Sequence, residues 1–209
     1  MTVEGKPHPH SFFRDGEETR VVEAVAREGQ GISIRSGING LLVLKSTGSA
    51  FYGFHQDEYT QLPETRDRIL STEIECGWQW KDLSNLDEVK TVVPKFDHAW
   101  ESARTITIET FAKDNSASVQ NTMYKMCDQI LVSVPLIEAV DYSLPNKHYF
   151  EIGKPNCCNH CRDITNNSAD LSWHNGLKNT GKDAEVYAPQ SNPNGLIQCT
   201  VTRRSKAKL

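Results

Sequence analysis

The sequence predicts an α+β domain, in which helices pack on one face of an antiparallel β-sheet. Residues 21–45 and 137–152 alternate in the manner of strands, and the segment between residues 87 and 134 has apolar residues at helical spacing. The order is therefore strand hairpin, helix pair, strand hairpin. At 209 residues, the chain has room for one domain or two small ones.

The first predicted element is a long β-hairpin. Its first strand alternates through Val21, Val22, Ala24 and Ala26, the Gly29-Gln30-Gly31 turn follows, and a second apolar run extends from Ile32 to Leu44. After a loop centred on residues 51–63, the stretch from residue 69 to 74, with Trp78 and Trp80, predicts a further strand.

Two successive amphipathic helices follow. The first is indicated by an aromatic stripe around Trp100, and a polar break at residues 114–116 precedes the second. In the second helix Val119, Met123, Met126, Ile130 and Val134 recur at intervals of three or four residues. We interpret this Met and aromatic stripe as core rather than as a cofactor site.

Pro135 is expected to close the second helix. The apolar residues from 137 to 142 then lead through a turn-like stretch at residues 143–146 into residues 148–152. This pattern is typical either of a strand pair or of one long, bent strand.

Charge and hydropathy exclude several classes of function. With 23 Lys and Arg against 27 Asp and Glu, the net charge is −4, which argues against a nucleic-acid or membrane surface. No apolar run approaches the roughly 20 residues that span a bilayer. Because Met1 to His10 does not resemble a secretory leader, we expect the cysteines to be thiols.

Residues 153–169 form a polar, turn-rich segment with three of the six cysteines. Cys157, Cys158, His160 and Cys161 are zinc-ligand types, but adjacent cysteines fit one tetrahedral site poorly, so we assign no metal. A second interpretation is an intron translated in frame. Codons for Gly-Lys at residues 153–154 can contain a splice donor sequence, and codons for Ala-Asp at residues 169–170 can contain a splice acceptor sequence.

Three stretches, residues 41–68, 115–126 and 142–152, carry residue types suited to a flat, anionic, nitrogen-rich molecule. On these stretches the chain resembles the urate oxidase (uricase) family of the tunnelling-fold (T-fold) superfamily. The first stretch follows the family signature from Lys45-Ser46-Thr47 through Phe51 to Arg68, and residues 6–12, 170–174 and 188–191 also fit. The resemblance covers nearly the whole chain apart from residues 153–169.

The resemblance implies oxidation of urate by O2 without a metal or an organic cofactor. In that role Arg68 would bind one edge of the urate anion through its planar guanidinium. Gln120, assisted by the backbone N–H of Val119, would read the opposite edge. Without the resemblance, the ordinary interpretations are a surface ion pair for Arg68 and a solvated helix start for Gln120.

The same resemblance assigns three further residues. Phe51 would stack on the purine, Asn146 would hold O2 or the attacking water, and His148 would belong to a proton relay. A core Phe and a hydrogen-bonded core His are the ordinary alternatives. All of these assignments rest on their joint occurrence at the family's positions.

The family has two T-fold modules per chain and builds its sites between subunits of a homotetramer. We therefore interpret residues 1–30 as remnant strands of a first module and residues 31–209 as the second module. A threonine and a lysine of the relay belong, on this resemblance, to the part of the first module that the chain lacks, and a neighbouring subunit supplies them in the family, so we expect only half of the site in these residues. On this expectation the chain starts inside the family's pattern, and its first hairpin has an unpaired edge and exposed apolar surface.

Ala207-Lys208-Leu209 at the carboxyl end is close to the Ser-Lys-Leu peroxisomal signal and predicts recognition by the peroxisomal import receptor. A frayed basic tail is the ordinary alternative.

Three other functions stay open: an inactive fragment that retains purine binding or an assembly role, a zinc module at residues 157–161, and a pterin-handling T-fold enzyme. The last is disfavoured because such proteins typically have Glu where Gln120 stands.

Overall fold

The computed structural model describes residues 1–61, 63–115, 118–151 and 187–203. Six of the described strands form one antiparallel sheet, and two successive helices pack on one of its faces. A separate pair of short strands, β1 and β2, precedes them. The elements are β1 (Thr2–Val3), β2 (Lys6–Pro7), β3 (Ser11–Phe13), β4 (Thr19–Arg27), β5 (Gly31–Phe51), β6 (Thr65–Trp80), α1 (Leu86–Lys113), α2 (Val119–Ser133), β7 (Ile137–Glu151) and β8 (Tyr187–Thr202).

The predicted β-hairpin is confirmed as β4 and β5, which pair from Thr19 opposite Asn39 to Arg27 opposite Gly31. Gly31 is required at the turn for two reasons. Its φ of +85° is rarely adopted by other residues, and a Cβ there would lie 2.6 Å from the carbonyl oxygen of Leu83. That close approach lets Ile32 and Leu83 exchange two backbone hydrogen bonds.

From β5 onward the order of strands in the sheet is the order in the chain, β5-β6-β7-β8. On the outer side of β5, β3 and β4 each pair with a different part of the strand. Residues 137–151 form one long strand, so the single-strand alternative is the correct one. The side chains that alternate toward the helices build the core, among them Ile38, Ile74, Trp78, Val140 and Tyr142.

Helix α1 begins after Asn85, whose side chain accepts hydrogen bonds from the backbone N–H groups of Asp87 and Glu88 at 3.0 Å each. Its buried stripe includes Ala99, Ala103 and Thr107, four residues apart. The Thr107 hydroxyl donates to the carbonyl oxygen of Ala103 and lies 2.6 Å from the Tyr142 hydroxyl of β7. This buried contact fixes α1 against the sheet.

Helix α2 starts after the Ser118 cap and buries Met123 and Met126, which confirms the core interpretation of the Met stripe. At its other end, Arg203 follows β8 and donates to the carbonyl oxygens of Leu131 and Ile137. A cation at a helix carboxyl terminus satisfies otherwise unpaired carbonyl groups.

The opposite face of the sheet carries charges. The Arg35 guanidinium of β5 makes two contacts of 2.7 Å with the Asp141 carboxylate of β7, passing over Gly77 of β6. A Cβ at Gly77 would lie 2.1 Å from an Arg35 nitrogen, so glycine leaves the space for this ion pair. Lys147 and Glu73 form a second ion pair between β6 and β7.

Several features predicted from the sequence fall outside the described residues: the cysteine-rich segment 153–169, the stretch 170–174 and the tripeptide 207–209. The three described cysteines, Cys76, Cys127 and Cys199, are free thiols. Neither α1 nor α2 contains an apolar stretch that could cross a membrane.

Candidate active site

The end of β5 and the start of β6 bring Phe51 and Arg68 together. Ser49 is the register partner of Arg68, and the Arg68 guanidinium carbon lies 5.3 Å from the centre of the Phe51 ring. Phe54 stacks on Phe51, with ring centres 4.5 Å apart. The structure therefore places the planar cation of Arg68 over the aromatic ring of Phe51, a favourable cation–π arrangement.

Arg68 is half-buried, and its Nε is buried without a hydrogen-bond partner among the described residues. Burial lowers the pKa of its guanidinium, because a cation loses hydration energy away from water. None of the ion pairs among the described residues includes Arg68. A buried donor without an acceptor costs free energy that a bound anion would recover.

Asn146 and His148 lie two residues apart on β7, and the pairing of β7 with β8 shifts register between them. Asn146 is the register partner of Thr72 on β6 and of Gly195 on β8. The Thr72 hydroxyl is buried and has no hydrogen-bond partner among the described residues. Arg68 and Thr72 share a face of β6, about 13 Å apart along the strand. His148 is exposed and opposite Gln190.

Val119 and Gln120 form the start of α2. Val119 is buried, and the Gln120 side chain is exposed. The Ser118 side chain accepts a 3.3 Å hydrogen bond from the backbone N–H of Asn121. The first N–H groups of a helix lack partners within the helix and carry partial positive charge. This end of α2 can therefore donate to an acceptor on a ligand edge.

The structure joins some of the predicted residues and leaves others apart. Phe51 contacts Arg68, and Asn146 and His148 share β7, whereas Val119 and Gln120 stand on a separate element. Two cavities are lined by none of the six predicted site residues. One, of about 330 Å³, lies on the charged face of the sheet, and the other, of about 630 Å³, lies beside the β4–β5 turn. Among the described residues no cluster of three or more His, Cys, Asp or Glu side chains could hold a metal ion.

Sequence reasoning gave no role to Lys45, although it is one of the most deeply buried polar residues of the described chain. Its Nζ donates to the backbone carbonyl oxygen of Asp114, at the end of α1, over 2.6 Å. A signal was present in the sequence, because Lys45 continues the inward-facing alternation of Leu41 and Val43. A lysine at an inward position calls for an acceptor nearby.

Comparison with known proteins decides the family. The model of the family described as Uricase matches residues 34–198, most of the chain. The chain belongs to the uricase family. Its sequence is 62% identical over 209 residues to the uricase of Emericella nidulans and 60% identical over 210 residues to that of Aspergillus flavus. The uricase of Schizosaccharomyces pombe is 44% identical over 204 residues.

The matches to the first two uricases cover all of this chain and 64% of each relative, and the third covers 98% and 62%. The chain thus spans less than two thirds of the length of these relatives. The solved uricase of Arthrobacter globiformis is similar in structure, with a TM-score of 0.67 and 30% identity over 95% of this chain and 63% of that one. The predicted α+β tunnelling fold is confirmed.

Proposed function

We propose that this chain takes part in the oxidation of urate, in which urate, O2 and water give 5-hydroxyisourate and hydrogen peroxide. The reaction balances without another reactant, because O2 accepts the two electrons that urate loses. The observation that carries the proposal is Arg68, a half-buried cation with an unpaired Nε beside the Phe51 ring. Such a pair suits a planar anion that must be stabilised while it gives up electrons.

The other residues have distinct roles in this proposal. Phe51 stacks on the purine ring, and Gln120 with the Val119 backbone N–H binds the edge opposite Arg68. Asn146 holds O2 or the attacking water, and His148 relays protons. Urate and O2 are the reactants, and no cofactor takes part.

Urate binding and turnover by the purified 209-residue chain test the proposal. We expect urate binding, with at least a tenfold loss of affinity in Arg68→Ala, about the effect of losing a hydrogen bond to a charged group, and loss of urate with equimolar peroxide once a polypeptide that carries the relay threonine and lysine of the first module is added. Arg66→Ala is the matched control, because Arg66 is exposed, two residues earlier on β6, and lies over the Tyr52 ring. Urate binding without turnover in that mixture would support the inactive purine-binding alternative, and no binding would refute both.

Assembly is a further part of the proposal. We propose that the chain associates with copies of itself; the homotetramer is what the resemblance implies for the family, whose two modules per chain supply more strands than these 209 residues hold. Support comes from β4, which pairs with β5 on one side and with no other described strand, and whose Val22 is 68% exposed. A strand edge of this kind is a ready pairing surface.

Location in the peroxisome is proposed from Ala207-Lys208-Leu209. The test is the distribution of a fluorescent protein fused to the amino end of the chain, with and without the tripeptide. We expect punctate fluorescence that coincides with a peroxisomal marker and becomes diffuse when the three residues are deleted. Diffuse fluorescence of the intact fusion would contradict the proposal.

A further inference from the structure

Lys45 crosses the core at the site end of the sheet. Its residue surface is 2% exposed, and its Nζ donates to the carbonyl oxygen of Asp114 at 2.6 Å and lies 5.5 Å from the centre of the Phe111 ring. On β6 its register partner is Leu70, two residues from Arg68. Lys45 therefore starts beside the Phe51 and Arg68 pair and ends at the segment that joins the two helices.

Asp114 connects three elements. Its backbone N–H donates to the carbonyl oxygen of Thr110 at 2.9 Å and so ends α1. Its carboxylate accepts from the Thr122 hydroxyl at 2.7 Å and from the Lys125 ammonium at 2.6 Å, both on α2. With the Lys45 contact on its carbonyl group, Asp114 ties β5 and the end of α1 to the first two turns of α2.

We propose that Lys45 and Asp114 form a positioning bridge, which holds the first turn of α2, with Val119 and Gln120, in place relative to Phe51 and Arg68. The inference rests on the proposed function, because it concerns how the two edges of one ligand are met. Lys45 itself is directed at a backbone carbonyl group, so it positions Gln120 through the bridge rather than by contact with the ligand.

The charges around Lys45 fit a structural role. Asp114, between α1 and α2, favours the charged ammonium form of Lys45, whereas Arg68 on β6 disfavours that form. His8, before β3, also lies close enough to interact with this ammonium group. Burying an ammonium group is costly unless it is hydrogen-bonded. A purely apolar residue would fill the same space at a lower cost in free energy, but it could not donate to the carbonyl oxygen of Asp114.

Hydrogen exchange tests the bridge without reference to urate. In Lys45→Met, which keeps most of the length and volume of the side chain, we expect amide exchange at residues 122–126, whose N–H groups are the first to bond within α2, to rise about tenfold, with exchange in residues 70–80 unchanged. Lys113→Met is the matched control, since Lys113 is an exposed lysine beside Asp114 that pairs with Glu4 and Glu109. Unchanged exchange at residues 122–126, or a uniform rise over the chain, would overturn the inference.

Thr122→Val attacks the same bridge from α2, because it removes the hydroxyl that donates to Asp114 and keeps the shape of the side chain. We expect the same local rise in exchange. This variant decides the matter if Lys45→Met does not fold, and normal exchange at residues 122–126 in a folded Thr122→Val protein would then refute the bridge.

Urate affinity provides the second readout, through a double-mutant cycle. We expect Lys45→Met to weaken urate binding about tenfold in the native chain and to have little further effect in Gln120→Ala, because both changes remove the same contact. Fully additive losses would contradict positioning through Gln120. If the native chain does not bind urate, the proposed function fails, while the exchange experiment still decides on the bridge.

Discussion

Lys45 is expected to make the free energy of unfolding depend on pH in the alkaline range. Burial lowers the pKa of its ammonium group from 10.5 to about 8. Between these two values the unfolded chain binds more protons than the folded chain, so the free energy of unfolding rises with pH in this window. The expected rise from Lys45 is up to about 3 kcal/mol, since one pKa unit corresponds to about 1.4 kcal/mol.

Denaturant unfolding at pH 7.5 and at pH 10 measures this effect, with the Lys45→Met variant as the comparison at both values. Met has no proton to lose, so the difference in free energy of unfolding between native chain and variant should change across the window in favour of the native chain. A pH-independent difference would show that Lys45 titrates normally.

The Thr107 and Tyr142 hydroxyls form a buried pair. The Thr107 hydroxyl donates its hydrogen bond to the carbonyl oxygen of Ala103. The Tyr142 hydroxyl is therefore the donor in its hydrogen bond with the Thr107 oxygen. Burial raises the pKa of the Tyr142 phenol, which keeps it protonated. Tyr142→Phe should lower the free energy of unfolding by about 1 kcal/mol. Thermal unfolding of Tyr142→Phe and of the control Tyr124→Phe, which changes an exposed tyrosine, measures the effect. Equal losses of stability in the two variants would refute the buried hydrogen bond of Tyr142.

At the level of single residues, the sequence predicted Phe51 and Arg68 as a pair only through the family resemblance, because 16 residues of strand and loop separate them in the chain. The structure places them in contact. The burial of Lys45 could be read from strand alternation, but its acceptor could not. Asp114 is distant in sequence, and the meeting of the two depends on how α1 lies on the sheet.

Among the secondary-structure elements, α1 has the clearest amino-terminal cap. Asn85→Ala removes the acceptor for the N–H groups of Asp87 and Glu88 and should lower the free energy of unfolding by about 1 kcal/mol. Asn85→Asp keeps an acceptor and should retain most of the stability. Urea unfolding of the three proteins tests this expectation, and an Asn85→Ala chain as stable as the native one would contradict it.

Helices and strands were predictable because each is determined by residues close in the chain. The Gly29-Gln30-Gly31 turn, the polar break before α2 and the Met stripe are local signals of this kind, and the structure bears out all three. The contact of Arg203 with the end of α2 could not be predicted. It joins residues that are 66 to 72 positions apart and depends on the pairing of β7 with β8.

For the whole molecule, the β4 edge governs association. Val22→Lys places a charge on this strand and should lower the average mass in solution, because edge charges oppose strand pairing. Val132→Lys is the matched control, since Val132 is similarly exposed on the surface of α2. Light scattering coupled to size-exclusion chromatography measures the mass. Equal masses for the native chain and both variants would show that β4 is not the associating edge.

The division into remnant strands at residues 1–30 and a second module at residues 31–209 remains a prediction. The structure shows that β4 and β5, on either side of this boundary, form one hairpin. Periodicity within a chain predicts such pairing, but it carries no information on strands that another chain would add. Assembly therefore has to be measured.

The sheet order also has a consequence for synthesis on the ribosome. Since β4, β5 and β6 are consecutive in the chain and adjacent in the sheet, they can pair as soon as β6 leaves the exit tunnel. The helix pair emerges next, when β3, β4, β5 and β6 are all available to form a template with its apolar face exposed. The edge of β6 is then already formed when β7 emerges, so β7 pairs in register with an existing strand. Adding a strand to a formed edge is faster than closing a contact between two distant, unstructured segments.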